Sequence, residues 1–325
     1  MYNMRRHILI GVHSNREEPI SPDTIIYKAS AKLPEVTNDS YNGFHTNRLI
    51  AGSSYVSIKS HTFENGIGTI IAKKPIASLG THVFFGCNTL THIKLPSTLT
   101  RFVDNTFYGC VNLESINIPN SLEYIGELVF ADCTKLKNIN IPSNVTSISS
   151  SAFENATNLE TITVSTENTI YDSRNNCNAI IKTSSNKLVI GCKNTIIPFN
   201  VTSIGSFAFY GQKELISINI PNNVTTIDSY AFYSTGLTSI TIPENVTTIK
   251  SGALGHLVNI TSIRCLSTTP PDVNISTPAA STFKTIAKNG ILYVPHNSIN
   301  LYSNGAWMNS SNGLGKYNWT IQALT

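Results

Sequence analysis

Six cysteines are the residues of this chain whose types and spacing could support redox or metal chemistry. Cys87, Cys110 and Cys133 follow one another at intervals of 23 residues. A metal site or a redox pair needs close Cys-x-x-Cys or Cys/His spacing, which the sequence lacks. A buried free cysteine behaves as a small apolar side chain. We therefore expect these three thiols to form a column in a hydrophobic core.

Cys177 and Cys192 present a different spacing. They bracket two strand-like runs, residues 178–181 and 187–190, which flank a short polar turn. This arrangement predicts a β-hairpin. If the turn centres on Ser184 and Ser185, the two cysteines lie directly opposite each other, near enough for a disulfide. The alternative is two free thiols beside a hairpin, and the sequence leaves both open.

Histidine, the usual general base, is scattered through the chain without a recurring carboxylate or nucleophile partner. The eight histidines are His7, His13, His45, His61, His82, His92, His256 and His296. The sequence also lacks G-x-S-x-G, H-E-x-x-H, Walker and dinucleotide-binding motifs. We therefore expect no enzymatic activity, no metal and no cofactor.

Composition excludes several further classes of protein. Of the 325 residues, 13% are charged and 41% are apolar, and the net charge is +4. An average domain has roughly 25% charged residues, so this is a folding chain rather than a charge-driven disordered one. Basic residues occur only in short pairs, and no apolar run approaches the roughly 20 residues that cross a bilayer. We expect no nucleic-acid partner, no membrane insertion and no export signal.

The elements that position these residues are copies of one repeat. Its anchors are Phe84, Phe107, Phe130 and Phe153, then Phe209, Phe232 and Leu254. Each anchor is followed by a leucine or isoleucine, then by two apolar positions two residues apart, and in most repeats by a proline. The alternation predicts a strand with one buried face, which the proline ends. A fixed period of this length indicates a stacked repeat architecture.

Each repeat is predicted to run through a strand, a proline turn, an extended stretch and a one-turn helical segment that carries the anchor. One such unit cannot bury its apolar face alone, whereas stacked copies bury a continuous core. The sequence contains about seven clear repeats of 22–23 residues. The predicted fold is an α/β repeat solenoid, a curved rod with a β-strand ladder on one face, short helical turns on the other and a cap at each end.

Residues 113–133 carry a family resemblance. Their sequence, LESINIPNSLEYIGELVFADC, resembles the pattern LxxIxIPxxVxxIGxxAFxxC of BspA-type leucine-rich repeats. Residues 204–209 and 218–227 match the pattern equally well, and the resemblance covers roughly residues 60–265. It is specific for the fold and implies a leucine-rich repeat solenoid. It says less about function, because the motif positions are core positions.

What the resemblance implies about function is recognition of a surface. Proteins of this family are known as cell-surface adhesins, which implies a protein or glycan on a cell surface as the partner. Similar repeats are encoded by bacteriophages of gut bacteria, whose virion proteins assemble in the cytoplasm and need no signal peptide. Because the chain shows no signal peptide, we favour virion association, with a cytoplasmic location as the alternative. The rival function is an intracellular or virion structural scaffold that has no surface ligand.

Three domains are expected. Residues 1–60 carry no repeat and form an N-terminal cap or an attachment segment, through which a virion partner could be bound. Residues 61–265 are the repeats, with the hairpin inserted at about residues 165–197. Residues 266–325 contain both tryptophans, Trp307 and Trp319, and are expected to cap the last repeat. The sequence leaves the oligomeric state open.

Aromatic residues beside the anchors are the candidate ligand-binding residues. They are Phe85, Tyr108, Phe207, Tyr210, Tyr230 and Tyr233. Ala131, Glu154 and Gly255 interrupt the stripe in the same slot of other repeats. Interaction hot spots are enriched in aromatic residues, whereas outward positions of the sheet face are mostly Asn, Ser and Thr, which could suit a glycan but supply no aromatic platform. Packing of half-buried rings between repeats is the alternative explanation of the stripe.

Overall fold

The structure, a computed structural model, describes residues 20–36, 44–45, 48–51 and 53–324. These residues form a β-solenoid of about nine turns, with repeats about 23 residues apart. The predicted repeat solenoid is confirmed. In the part of the chain that is described, no helix is long and apolar enough to span a membrane.

The N-terminal strands are β1 Thr24–Ala29, β2 Glu35–Val36, β3 Phe44–His45, β4 Leu49–Ala51, β5 Ser54–Tyr55, β6 Ile58–Glu64 and β7 Ile67–Ala72. The first repeats contribute β8 Ser78–Leu79, β9 Leu90–Lys94, β10 Arg101–Phe102, β11 Ser115–Asn117, β12 Tyr124–Ile125, β13 Asn138–Ile141, β14 Ser147–Ile148 and β15 Thr161–Val164. The inserted segment contributes β16 Tyr171–Asp172, β17 Ala179–Lys182 and β18 Lys187–Gly191.

The later repeats contribute β19 Ser203–Ile204, β20 Thr226–Ile227, β21 Ser239–Ile242, β22 Thr248–Ile249, β23 Ser262–Cys265 and β24 Asp272–Val273. The C-terminal part contains β25 Ile291–Val294, the α-helix α1 Ile299–Ser303 and β26 Thr320–Ala323. Short 3-10 helices cover Arg174–Asn176, Thr183–Ser185, His296–Ser298, Ala306–Met308 and Leu314–Tyr317.

Successive repeats stack in register, so that equivalent residues lie above one another. The strand of one repeat pairs in parallel with the strand 23 residues later, as in β13 and β15, where Ile139 lies opposite Ile162. Strand β13 alternates exposed and buried residues, as a strand with one core face must. The anchor phenylalanines are buried and stack with ring centroids 5.1–5.6 Å apart. The core is therefore a set of columns that run along the solenoid.

The segments that carry the anchors are hydrogen-bonded turns rather than helices. Phe85 N–H donates to the carbonyl of His82, and Cys87 N–H donates to the carbonyl of Phe84. Each hydrogen bond closes a turn between residues three positions apart. The second residue after each anchor has a left-handed backbone, with φ between 52° and 72°, in Gly86, Gly109, Asp132, Asn155, Gly211, Ser234 and His256. A left-handed residue stops an α-helix, so each predicted helical turn ends after a single turn.

At the N-terminal end, β1 lies within the main sheet of the first repeats. It pairs antiparallel with β7 on one side and with β9 on the other. The order of strands in this sheet is β11, β9, β1, β7 and β6. Residues 24–29 are therefore an integral part of the first coils.

The inserted segment forms the hairpin β17–β18, in which Lys182 lies opposite Lys187. Strand β18 then pairs in parallel with β19 and returns the chain to the repeats. The hairpin is buried on both faces, because Ile180 and Ile190 belong to the N-terminal core cluster whereas Ile181 and Leu188 belong to the C-terminal one. A Cβ on Gly191 would lie 2.1 Å from the ring of Phe209, so the strand packs directly on that anchor.

The disulfide that a regular hairpin allows is absent, and all six cysteines are free thiols. A β-bulge shifts the register between Ile180 and Ile181, so that Ala179 lies opposite Gly191. The register places Asn178 rather than Cys177 opposite Cys192, whose thiol donates to the carbonyl of Asn178 at 3.4 Å. The bulge thus explains why the pairing expected from a regular hairpin fails.

The C-terminal segment extends the solenoid. Strand β25 pairs in parallel with β23, and β26 pairs in parallel with β25. The side chains of Tyr302, Trp307 and Trp319 are buried in the same core cluster. These coils lack the repeat motif in their sequence, which is why about seven repeats were recognised where the structure has about nine turns.

Candidate functional site

A continuous ladder of main-chain hydrogen bonds supports the side of the solenoid that carries the turns, here called the turn side. The N–H of the second residue after each anchor donates to the carbonyl of the residue that precedes its equivalent in the next coil. The donor and acceptor pairs, at 2.6–3.1 Å, are Gly86–Tyr108, Gly109–Ala131, Asp132–Glu154, Asn155–Tyr210, Gly211–Tyr233, Ser234–Gly255 and His256–Lys284. In this ladder the coil of Glu154 is followed directly by the coil of Tyr210, although the two residues are 56 positions apart in the sequence.

All six predicted binding residues lie half-buried on the turn side. They fall into two groups. In the first group, the rings of Phe85 and Tyr108 stack with centroids 5.0 Å apart and planes inclined by 10°. His82 lies beside Phe85 at 5.0 Å.

The second group is a wider aromatic surface. The ring of Phe207 stacks on Tyr230 at 5.3 Å, and Tyr210 stacks on Tyr233 at 5.1 Å. His256 continues the second stack at 5.6 Å from Tyr233. In the next coil these rings also cover two glycines, because the Tyr230 ring lies over Gly252 and the Tyr233 ring over Gly255 at distances that a Cβ would not permit.

Phe207 and Tyr230 both occupy a left-handed backbone conformation, with φ of 59°. The same conformation occurs at the equivalent residue of four other coils, His82, Asn105, Leu128 and Gly252, although of these only asparagine and glycine are types that tolerate it well. For a bulky residue the left-handed region costs roughly 1–2 kcal/mol. Bulky aromatic residues at these two positions therefore come at a cost in stability, and such strain concentrates at functional sites.

Asp132 and Glu154 separate the two aromatic groups. Burial raises the pKa of Glu154 to about 7, and repulsion from Asp132 and Glu127 adds to the effect. A hydrogen bond with Asp132 raises the pKa of Tyr108, and burial together with the Glu154 charge raises that of Tyr210. The residues of this acidic break therefore interact with the aromatic groups on both sides.

No basic side chain neutralises the acidic break. Among the described residues, the ion pairs lie elsewhere, and none includes Glu127, Asp132 or Glu154. Sequence analysis placed Glu154 in the aromatic column but assigned it no role. The folded arrangement that brings Asp132, Glu154 and Glu127 together depends on the left-handed turns, which have no distinct sequence pattern.

The other faces offer open grooves instead of an enclosed pocket. One groove, of about 630 Å³, is lined by residues that include Ser229, Lys250 and Asn274. Another, of about 510 Å³, lies on the sheet face near His92, Glu114 and Lys137. Within the described ranges, no group of three or more His, Cys, Asp or Glu residues is placed to hold a metal ion. The arrangement is suited to binding an extended partner on a surface.

Comparison of the sequence with protein families decides the family. The model of the BspA-type leucine-rich repeat region matches six copies, over residues 56–181 and 180–270. This chain belongs to the BspA-type leucine-rich repeat family. Among proteins with curated descriptions, none matches the chain at a significant level.

Solved structures agree with the BspA-type fold. A leucine-rich repeat protein from Eubacterium ventriosum aligns with a TM-score of 0.55 and 22% identity, over 77% of this chain and 71% of that one. A leucine-rich cell surface protein from Faecalibacterium prausnitzii aligns over 96% of each chain, with 17% identity and a TM-score of 0.40. The first similarity supports the fold alone, and the second is too low in TM-score to support an argument.

The cysteine column of the BspA-type repeats is part of the core, as the sequence predicted. Cys87, Cys110 and Cys133 are buried, and the thiols of Cys110 and Cys133 donate to main-chain carbonyls at 3.0 and 3.3 Å. Burial raises the pKa of Cys87 and of Cys133 well above the usual value for a thiol. Because the thiolate is the reactive form, these thiols are chemically inert.

One group of residues in the N-terminal coils resembles a catalytic relay and was not identified from the sequence. The hydroxyl of Tyr27 lies 2.7 Å from Nε2 of His61, whose Nδ1 lies 2.8 Å from Oε1 of Glu35. Tyr27 is fully buried and also accepts the N–H of Leu33 at 3.2 Å. A hydroxyl without access to solvent cannot act on a substrate, so the relay is structural.

The predicted attachment role of residues 1–60 falls partly on residues 1–19, 37–43, 46–47 and 52, which lie outside the described part of the chain. His7 and His13 belong to the same undescribed segment. The described residues 24–29 form β1 within the sheet, so an attachment function has to use other residues of this segment.

Proposed function

We propose that this BspA-type chain is a non-enzymatic recognition module that binds a protein or glycan on a cell surface through its turn side. The binding residues are Phe85, Tyr108, Phe207, Tyr210, Tyr230 and Tyr233, here called the aromatic stripe. Family membership supports a repeat scaffold that presents a surface.

The observation that carries the proposal is the arrangement of the aromatic stripe. Six half-buried aromatic residues share one side of a scaffold that main-chain hydrogen bonds hold in register. Aromatic side chains contribute much of the binding energy at interfaces because they bury a large area at a low entropic cost.

The test is to remove one ring from each aromatic group, in the double variant Tyr108→Ala and Tyr233→Ala. Each substitution deletes a stacking contact worth about 0.5–1.5 kcal/mol, so the solenoid should still fold. We expect saturable binding of the purified chain to intact candidate host cells to weaken at least tenfold. Flow cytometry with the labelled chain measures the binding, and circular dichroism checks the fold.

The matched control is the double variant Ser217→Ala and Asn219→Ala, which changes two exposed residues of the sheet face. Its binding should equal that of the unmodified chain. Unchanged binding by the aromatic variant, or loss of binding by the sheet-face variant, would assign recognition to the other face. A chain that binds no cell type and still unfolds cooperatively would favour the rival function, a structural scaffold.

Attachment through the N-terminal segment is a separate part of the proposal, and it includes presentation on a virion. Because β1 is built into the sheet, the informative truncation removes residues 1–19 and keeps residue 24 onwards. A particle protein that is anchored by this segment should lose incorporation into particles after the truncation while its cell binding in solution persists. Incorporation that survives the truncation would exclude the anchoring role of these residues.

A further inference from the structure

The aromatic stripe carries enough information to narrow the chemistry of its ligand. Resting on the recognition function proposed above, we propose that the ligand is a protein that presents an arginine side chain, whose guanidinium stacks against Tyr108 and pairs with the carboxylate of Glu154. A neutral glycan would leave the charge of Glu154 uncompensated.

The two aromatic stacks end on either side of the acidic break. Tyr108 stacks on Phe85 with one face, and its other face is directed towards the coil of Ala131. Tyr210 stacks on Tyr233, and its other face is directed towards the coil of Glu154. The acidic break is therefore bordered by one tyrosine face on each side, Tyr108 next to Ala131 and Tyr210 next to Glu154.

The size of this position follows from the stacking of the coils. Ala131 and Glu154 occupy the two coils between Tyr108 and Tyr210, and neighbouring strands are about 4.8 Å apart. The two tyrosines are thus three coil spacings apart, or about 14 Å. Ala131 has no side chain beyond Cβ, and Glu154 is only partly buried. A flat group therefore reaches only one of the two rings, and the space above Ala131, between Tyr108 and Glu154, admits such a group on a flexible stem.

The second step is charge. Glu154 faces Asp132 and Glu127, and the side chains of Tyr108 and Tyr210 complete its surroundings. None of the three carboxylates forms an ion pair with a described basic residue. The chain as a whole carries a net charge of +4, so this negative region is a local feature. It is complementary to a cation.

The third step selects arginine among cations. A guanidinium is planar, stacks on aromatic faces and donates bidentate hydrogen bonds to carboxylates, whereas the ammonium of lysine is a compact and strongly hydrated charge. An arginine between the ring of Tyr108 and the carboxylate of Glu154 uses all of these properties. A metal ion would need oxygen ligands that converge on one point, and the described residues provide no such cluster.

Binding should depend on pH in a predictable direction. Burial and the neighbouring carboxylates raise the pKa of Glu154 to about 7, so this carboxyl is partly protonated at neutral pH. Arginine pairs with the ionised form. Affinity should therefore increase as the pH rises from 6 to 8.

The experiment titrates N-acetyl-arginine methylamide into the isotope-labelled full chain and follows main-chain amide signals by NMR. The shape-matched neutral probe is the citrulline analogue. We expect the arginine probe to shift the amides of Gly109, Asp132, Asn155 and Gly211 in a saturable way, with at least tenfold tighter binding than citrulline. Glu154→Gln should weaken arginine binding at least fivefold and remove its dependence on pH between 6 and 8.

The matched control is Glu244→Gln, an exposed glutamate far from the stripe in the repeat, which should bind the arginine probe as the unmodified chain does. Equal binding of arginine and citrulline would overturn the inference. So would unchanged binding by Glu154→Gln, or amide shifts confined to other residues.

The same variants separate this inference from the function on which it rests. If the Tyr108→Ala and Tyr233→Ala chain loses cell binding while Glu154→Gln binds cells fully, recognition stands and the arginine ligand is wrong. If the arginine probe binds at the acidic break while no cell binds, the site stands and the recognition function is wrong.

Discussion

The two ends of the solenoid are closed by different chemistry. At the N-terminal end, an antiparallel strand enters the sheet, and its Tyr27 is held by hydrogen bonds to His61 and Leu33. At the C-terminal end, parallel strands continue the sheet, and the buried indoles of Trp307 and Trp319 donate to main-chain carbonyls at 2.8 and 2.7 Å.

The two ends differ in whether their hydrogen bonds depend on a titratable side chain. Main-chain carbonyls and indole N–H groups keep their hydrogen bonds at any ordinary pH. The N-terminal end depends instead on His61, whose side chain is almost fully buried, and this burial favours its neutral form. Neutral His61 donates from Nδ1 to Glu35 and accepts the Tyr27 hydroxyl at Nε2. The comparison teaches that the two ends should differ both in the size of their contribution to stability and in its pH dependence.

The largest expected effect is a loss of stability at the C-terminal end. Trp307→Ala removes a buried side chain that contacts Phe283 and Tyr302, with ring centroids 5.3 and 5.5 Å away. Replacing a buried tryptophan by alanine costs about 3–5 kcal/mol. We expect faster hydrogen exchange in β25 and β26, measured by mass spectrometry, while β1 is unchanged. Equal acceleration at both ends would show that the ends are not independent.

A smaller loss of stability is expected at the N-terminal end. Tyr27→Phe deletes the hydroxyl that bonds to His61 and Leu33 and leaves both buried partners unsatisfied. The expected cost is about 1–3 kcal/mol, with faster exchange in β1 and β7 but not in β26. The control is Tyr55→Phe, because Tyr55 is 72% exposed and its substitution should change nothing. A cost for Tyr55→Phe equal to that for Tyr27→Phe would refute the role of the relay.

The smallest expected effect is a pH dependence of stability at the N-terminal end. Burial lowers the pKa of His61 below its usual 6.5, against the opposing effect of Glu35. The stability that comes from this depressed pKa is fully present above about pH 6.5 and is lost as the pH falls through the pKa of the folded state. Burial opposes ionisation of Glu35, but its hydrogen bonds with His61 and Lys32 lower its pKa overall. Protonation of Glu35 at lower pH therefore also decreases the stability of the folded state.

Exchange in β1 should therefore accelerate relative to β26 between pH 7.5 and 5.5, after correction for the intrinsic rate at each pH. In Tyr27→Phe the difference should shrink, because protonated His61 no longer conflicts with the tyrosine hydroxyl. A ratio that stays constant with pH in the unmodified chain would contradict the assignment of His61 as the sensitive group.

The repeats were predictable because their signal is local and recurs. Phe107 and Phe130 occupy equal places in sequences of equal length, so stacking one on the other requires no knowledge of distant partners. The position of β1 was not predictable, since its apolar alternation fits any sheet edge and its partners β7 and β9 lie about 40 and 65 residues away.

The candidate site shows the same division. The column through Tyr108, Glu154 and Tyr210 follows from counting residues after each anchor, and the structure stacks these residues in one column with Ala131 between Tyr108 and Glu154. The role of Glu154 did not follow, because its raised pKa depends on the burial and the neighbouring carboxylates of the folded turn side. The hairpin was predictable from its polar turn, but its bulge was not, because a single inserted residue has no distinct sequence pattern.

The doubly buried hairpin β17–β18 has a consequence for how substitutions combine. Its two faces belong to separate core clusters, so a cavity made in one cluster has no shared neighbours in the other. Free-energy changes from substitutions in different clusters should add, whereas those within one cluster should not. The hairpin thus separates the apolar cores of the two halves, while the hydrogen bond from Asn155 to Tyr210 still joins their main chains.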